Sequence, residues 1–137
     1  MARFEILEHT ADVGIRAEGI DLSEVFEQAT LGLLDISGTW MPGPGEAIEI
    51  EVDAADLGGL LVDWLEEVIY LGDSRDAVVT AVEMRSVSPT HASGRVELAP
   101  RDPETYGGGT QVKAITYHRL KVTDTGSGWE AEVYVDV

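Results

Sequence analysis

Two stretches of this chain carry apolar residues at helical spacing, and everything after them alternates. Leu22, Val25, Phe26, Ala29 and Leu33 recur every three or four residues behind Asp21 and Glu24, a capping-box variant, which predicts a helix ending near Gly38. Leu57, Leu60, Leu61, Trp64, Leu65 and Val68 form a second stripe, with Asp56 as its cap. Shorter alternating runs at 4–8, 13–18 and 48–52 predict strands around these helices. From Ala77 onward the pattern is entirely β, with strands expected at about 78–87, 92–98, 112–122 and from 129 to the end. Helices that precede a run of strands argue against alternating βαβ units. The expected architecture is one α+β domain over 1–137, a mixed or antiparallel β-sheet with two α-helices packed on one face.

A chain of 137 residues that is 44% apolar can bury about two-thirds of its unfolded surface without a covalent staple. It has no cysteine, so disulfides, thiol nucleophiles and thiolate metal sites are excluded. Oxygen and imidazole chemistry remains. The N-terminus has no basic region followed by an apolar stretch, and no segment approaches the roughly 20 apolar residues of a membrane span, so a cytoplasmic protein with no membrane partner is expected. Asp and Glu number 26 against 9 Lys and Arg, for a formal charge of -17. That charge repels phosphate backbones unless the few cations are gathered in one place, so stable direct nucleic-acid binding is not expected. A basic protein partner or a bound cation would suit such a surface. So would a salty cytoplasm, and host-wide compositional bias accounts for the charge equally well, given two lysines and no asparagine.

Glu8-His9-Thr10-Ala11-Asp12 places an imidazole and two carboxylates in one short connection, material for a cation site or for proton transfer. Locally, an Asp after a strand is more often a turn residue bonded to its own backbone. In the last strand Trp129, Ala131, Val133, Val135 and Val137 share one face, and Glu130, Glu132, Tyr134 and Asp136 share the other. Asp136 therefore points away from the apolar stripe, and with the α-carboxylate of Val137 it offers two adjacent hard oxygen groups. A frayed, solvated terminus is the ordinary alternative. The segment 112–118 mixes its faces: Lys113, Ile115 and Tyr117 on one side, Ala114, Thr116 and His118 on the other. It reads either as a strand constrained by more than packing or as one whose polar residues reach water near its ends.

Other motifs fail. Gly43-Pro44-Gly45 and Gly107-Gly108-Gly109 lack the strand-to-helix setting of a phosphate loop, and there is no nucleophile elbow. The three histidines lack zinc-protease spacing.

Glu8-His9-Thr10-Ala11-Asp12, the helix segment Leu61-Val62-Asp63-Trp64-Leu65, Val112-Lys113-Ala114-Ile115-Thr116-Tyr117-His118 and an ending on Asp136-Val137 together resemble the archease family over nearly the whole chain. The resemblance implies a non-enzymatic activator of an RtcB-type RNA ligase in tRNA splicing and RNA repair, promoting ligase guanylylation and multiple turnover. It also implies a divalent metal, often calcium, held by Asp12, Asp136 and Val137, with magnesium or manganese as other oxygen-preferring ions. Lys113 would belong to the functional surface, where His9 and His118 also match motif positions without an assigned role. Arg119, where a smaller or uncharged residue is more typical, and the 103–110 loop depart from the family pattern. The competing expectation is a small metal-dependent hydrolase with Asp12 and Asp136 as ligands and His118 or His9 as base.

Overall fold

The computed structural model describes residues 2–8, 12–102 and 109–137, and within them two helices and seven strands make one α+β unit. Strands β1 (Arg3–Glu8), β2 (Asp12–Gly19), β6 (Ala114–Asp124) and β7 (Trp129–Asp136) form one sheet in the order β1-β2-β7-β6. Strands β3 (Glu46–Asp53), β4 (Ala77–Val87) and β5 (His91–Pro100) form a second, in the order β3-β5-β4. Every ladder is antiparallel. The α+β class and its antiparallel pairing are as expected. The strands divide between two sheets, and both helices, α1 (Leu22–Ser37) and α2 (Leu57–Arg75), touch strands of both.

That placement explains a helix stripe wider than the sequence pattern suggests. In α2, Val62 is buried together with Leu60, Leu61, Trp64, Leu65 and Val68, because the helix meets a sheet on more than one side. The helices are fixed to each other by a polar tie within the apolar core: Trp64 Nε1 donates to Thr30 Oγ1 at 2.9 Å, and Thr30 Oγ1 donates to the Phe26 carbonyl at 2.6 Å. Leaving the indole N–H without an acceptor there would cost about 1–3 kcal/mol.

The helix starts follow the predicted caps. Asp21 accepts the Glu24 N–H at 2.9 Å, and the Glu24 carboxylate reaches back to the Ile20 N–H at 2.8 Å, one residue before the position a capping box normally serves. Asp56 accepts the Gly59 N–H at 2.8 Å, and α1 ends on Gly38 at φ 69°. No helix among the described residues is long and apolar enough to cross a membrane.

Candidate functional site

Asp12 is the first residue of β2 rather than part of the connection before it, because the β2–β7 ladder runs to that point and pairs Asp12 directly with Asp136. Direct cross-strand partners share a face, with Cβ atoms about 4.5–5.5 Å apart. Two carboxylates from opposite ends of the chain thus stand side by side. Asp12 is half-buried with Oδ1 shielded from solvent, whereas Asp136 is exposed and makes no ion pair among the described residues.

On its other side Asp136 pairs with Ala114 of β6, and its carbonyl accepts the Lys113 N–H at 2.8 Å. Lys113 itself precedes the ladder, and its exposed side chain also forms no ion pair. It borders a hollow of about 240 Å³ against Ile69, Tyr70 and Asp73 of α2. Three distant segments, at 12, 113–114 and 136, are joined by hydrogen-bonded register alone. Val137 follows Asp136 and is 36% exposed.

The face that carries the two aspartates is better covered than its alternating sequence suggests. Glu132 and Tyr134 are buried, since β7 is an interior strand with residues of β2 and β6 closing over it. Tyr134 lies over Gly14, its cross-strand partner, where a Cβ would come within 2.7 Å of the ring. Tyr134 Oη donates to Glu132 Oε2 at 3.2 Å, Glu132 Oε1 accepts from Arg16 at 3.3 Å, and Arg16 reaches Glu5 at 3.0 Å. His118 meets the Tyr134 ring edge-on, centroids 6.2 Å apart, one pleat repeat from Asp136. The sequence reading missed Gly14, Arg16, Glu132 and Tyr134. A lone glycine in an alternating strand was the available signal for a close approach there.

β6 carries a large bulge. Thr116 pairs with Tyr134 and Lys121 with Glu132, so three extra residues lie between positions only two apart on β7. Thr116 Oγ1 bridges the gap, donating to the Tyr134 carbonyl at 3.1 Å and accepting the His118 N–H at 3.2 Å. Arg119 holds φ 56°, the left-handed region in which a glycine would be unstrained, so this departure from the family pattern falls on a strained position. His9 lies outside the described residues.

Among the described residues no group of three or more His, Asp or Glu side chains is close enough to hold a metal. The residues that could offer donors to a cation are the cross-strand Asp12–Asp136 pair, with Val137 next in sequence. All of these donors are hard oxygens, and two adjacent negative charges fit a divalent ion of the calcium or magnesium type.

The fold and this sheet end define a class: a small two-sheet α+β domain in which the start of β2 and the end of β7 meet at a pair of aspartates, with an exposed lysine at the same sheet end. The profile of the archease protein family (MTH1598/TM1083) matches residues 4–137, and the chain belongs to that family. It is 34% identical to protein archease of Methanosarcina acetivorans over 98% of this chain and 96% of that one. It is 36% identical to protein archease of Thermococcus gammatolerans over the full length of both. The solution structure of Methanobacterium thermoautotrophicum protein 1598 superposes with a TM-score of 0.73 at 27% identity, covering 98% of each chain. A crystal structure of a Thermotoga maritima archease, described as a possible chaperone, shares the fold with a TM-score of 0.65 at 23% identity, covering 97% of this chain and 96% of that one.

Proposed function

We propose that this protein is a non-catalytic accessory factor that activates an RtcB-type RNA ligase, promoting ligase guanylylation and repeated turnover in tRNA splicing and RNA repair. Family membership supports an accessory role. The observation that carries the rest is the register that sets Asp12 beside Asp136 and ties the Lys113 backbone to the Asp136 carbonyl at 2.8 Å.

In this reading Asp12, Asp136 and the Val137 carboxylate hold a divalent cation, calcium first, with magnesium or manganese as alternatives. When bound, the ion supplies positive charge at the sheet end where phosphate oxygens of a guanylylation reaction would lie. The chain's own residues do the positioning. The β2–β7 ladder fixes both carboxylates, and the Lys113 N–H bond to Asp136 holds Lys113 at the same sheet end, where its side chain borders α2. The exposed Lys113 ammonium, which no carboxylate of the described chain neutralises, would meet the partner's phosphate groups. His118, packed edge-on against Tyr134, would hold that ring over Gly14 and so the local course of β7.

The test is the yield of covalent ligase–GMP from labelled GTP, followed over time with substoichiometric amounts of this protein. The expected result is acceleration by the wild type and its loss in Asp12→Ala, Asp136→Ala and Lys113→Ala. No acceleration with the ligase of the same host refutes the function, and undiminished acceleration by all three variants refutes the site. Hydrolysis of phosphate esters by the protein alone would favour a metal-dependent hydrolase instead.

A further inference from the structure

The cations of this acidic chain are divided unevenly. Arg3, Arg16, Arg75, Arg85, Arg95 and Arg101 each lie within 4.0 Å of a carboxylate. The other three, Lys113, Arg119 and Lys121, form no ion pair among the described residues, and all lie on β6 or immediately before it. Acids outnumber cations 26 to 9, yet this stretch escapes pairing. The sequence contributes directly, since Thr105 to Thr123 is the longest run with no Asp or Glu.

The fold turns that run outward. β6 is an edge strand of its sheet. In its bulge Leu120 packs against Gly58 at the start of α2, where a Cβ on the glycine would come within 2.9 Å of the leucine. That anchor leaves Tyr117, His118 and Arg119 exposed, Tyr117 at 64%. By register, Ala114 and Lys121 are as far apart as Asp136 and Glu132, so Lys113 and Lys121 end a line about 17 Å long at roughly 3.4 Å per strand residue. Three unneutralised cations on an extended edge, with a solvent-facing aromatic ring between them, match the requirements for single-stranded nucleic acid: charges that follow a phosphate backbone and a π-face on which a base can stack.

We propose that the β6 edge, through Tyr117, Arg119 and Lys121 with Lys113 at its end, is a contact site for the backbone and a base of single-stranded RNA. The contact is weak and salt-dependent, because the rest of the molecule repels phosphate. Cations gathered in one place are the condition under which so acidic a protein can meet RNA at all. The site goes beyond the ligase-activating reading and needs neither the ligase nor the metal, so each can fail without the other.

The experiment is fluorescence anisotropy of a labelled uridine-rich single-stranded RNA oligonucleotide titrated with the full chain at several low salt concentrations. Three phosphate contacts predict a slope of log K against log salt near about -2, at about -0.7 per contact. Arg119→Ala/Lys121→Ala should reduce that slope by about 1.4. Tyr117→Ala should weaken binding roughly 5- to 150-fold with the slope unchanged. All three side chains are exposed, so the fold should survive, and unchanged circular dichroism confirms it. The control is Arg85→Ala/Arg95→Ala on the second sheet, which removes the same charge from residues paired with Glu49 and Glu83 and should leave the slope unchanged. Absence of RNA binding at low salt, or equal losses in the two arginine-containing doubles, overturns the proposal. Binding of poly-glutamate in place of RNA also overturns it and points to an acidic protein partner.

Discussion

Gly14→Ala tests whether the covered face of β7 depends on a missing side chain. A Cβ at residue 14 would stand 2.7 Å from Tyr134 Cε2, 2.9 Å from Cζ and 3.0 Å from the Leu7 Cβ. Comfortable carbon contacts are about 3.5–4.0 Å, so the new methyl intrudes by most of an ångström. Tyr134 is only 4% exposed, and its hydroxyl is bonded to Glu132, so the ring cannot simply lift into water. Overpacking of this kind costs about 1–3 kcal/mol. Gly14 is not in the left-handed region, so alanine also restricts the unfolded chain and returns roughly 0.4–1 kcal/mol. The net expectation is a loss of about 1.5 kcal/mol, which at a urea m-value of roughly 1.5 kcal/mol/M lowers the unfolding midpoint by about 1 M. In a Tyr134→Ala background only the 3.0 Å contact with the Leu7 Cβ remains, and the same substitution should cost clearly less. Equal losses in both backgrounds would refute the argument, because the cost would then not lie under the ring.

Asp136→Asn should reverse the order of stabilities with conditions. In chelator it relieves a like-charge cross-strand pair and should melt at or slightly above wild type, whereas calcium at about 100 times its Kd should stabilise only the wild type, by roughly 2.7 kcal/mol, when monovalent salt is matched. A C-terminal extension converts the Val137 carboxylate to an amide and should weaken calcium binding more than an N-terminal tag; equal affinities by calorimetry would remove Val137 from the ligand set. His91 Nδ1 donates to Asp53 Oδ1 at 2.7 Å and the ring faces Glu51 at 3.2 Å, and this hydrogen bond and the two negative charges raise its pKa above the usual 6.5. The resulting link between β3 and β5 is fully present below about pH 6.5 and is lost as pH rises through the raised value, so the melting difference between wild type and His91→Gln should shrink from about pH 6 to pH 9. A difference that grows over that range would refute the sign.

The elements governed by local rules were legible in the sequence. Asp21, Asp56 and Gly38 mark helix ends because caps depend on a few neighbouring residues, and the alternation after Ala77 marks strands because the pleat has a period of two. The division into two sheets was not legible, since alternation reports that one face of a strand is buried and says nothing about which strand lies beside it. Asp12 shows the same limit. Its chemistry was recognisable, but its place at the head of β2 opposite Asp136 is decided by a ladder that joins residues 124 positions apart. Glu132 and Tyr134 were read as an outward face because residue type alone cannot indicate that Arg16 and a bare Gly14 would close over it.

The acidity of the chain acquires a more definite meaning from the same geometry. A purely host-driven excess of carboxylates predicts that the scarce cations should be neutralised wherever they lie. Six are, across both sheets and the C-terminal end of α2, while three form no ion pair among the described residues and lie along a single edge. At an effective dielectric near 20, an available carboxylate at 4 Å would attract each of them by roughly 4 kcal/mol before desolvation and screening. Pairing therefore fails at Lys113 and Arg119 because acids are absent from Thr105 to Thr123, and at Lys121 because its cross-strand neighbour Glu132 is already held by Arg16 and Tyr134. Two chemically different surfaces result: a paired-aspartate sheet end, proposed to hold a cation, and an edge whose cations form no ion pair among the described residues, proposed to meet phosphate. Lys113, hydrogen-bonded through its backbone to Asp136 and beginning the cationic line, is the residue at which they meet.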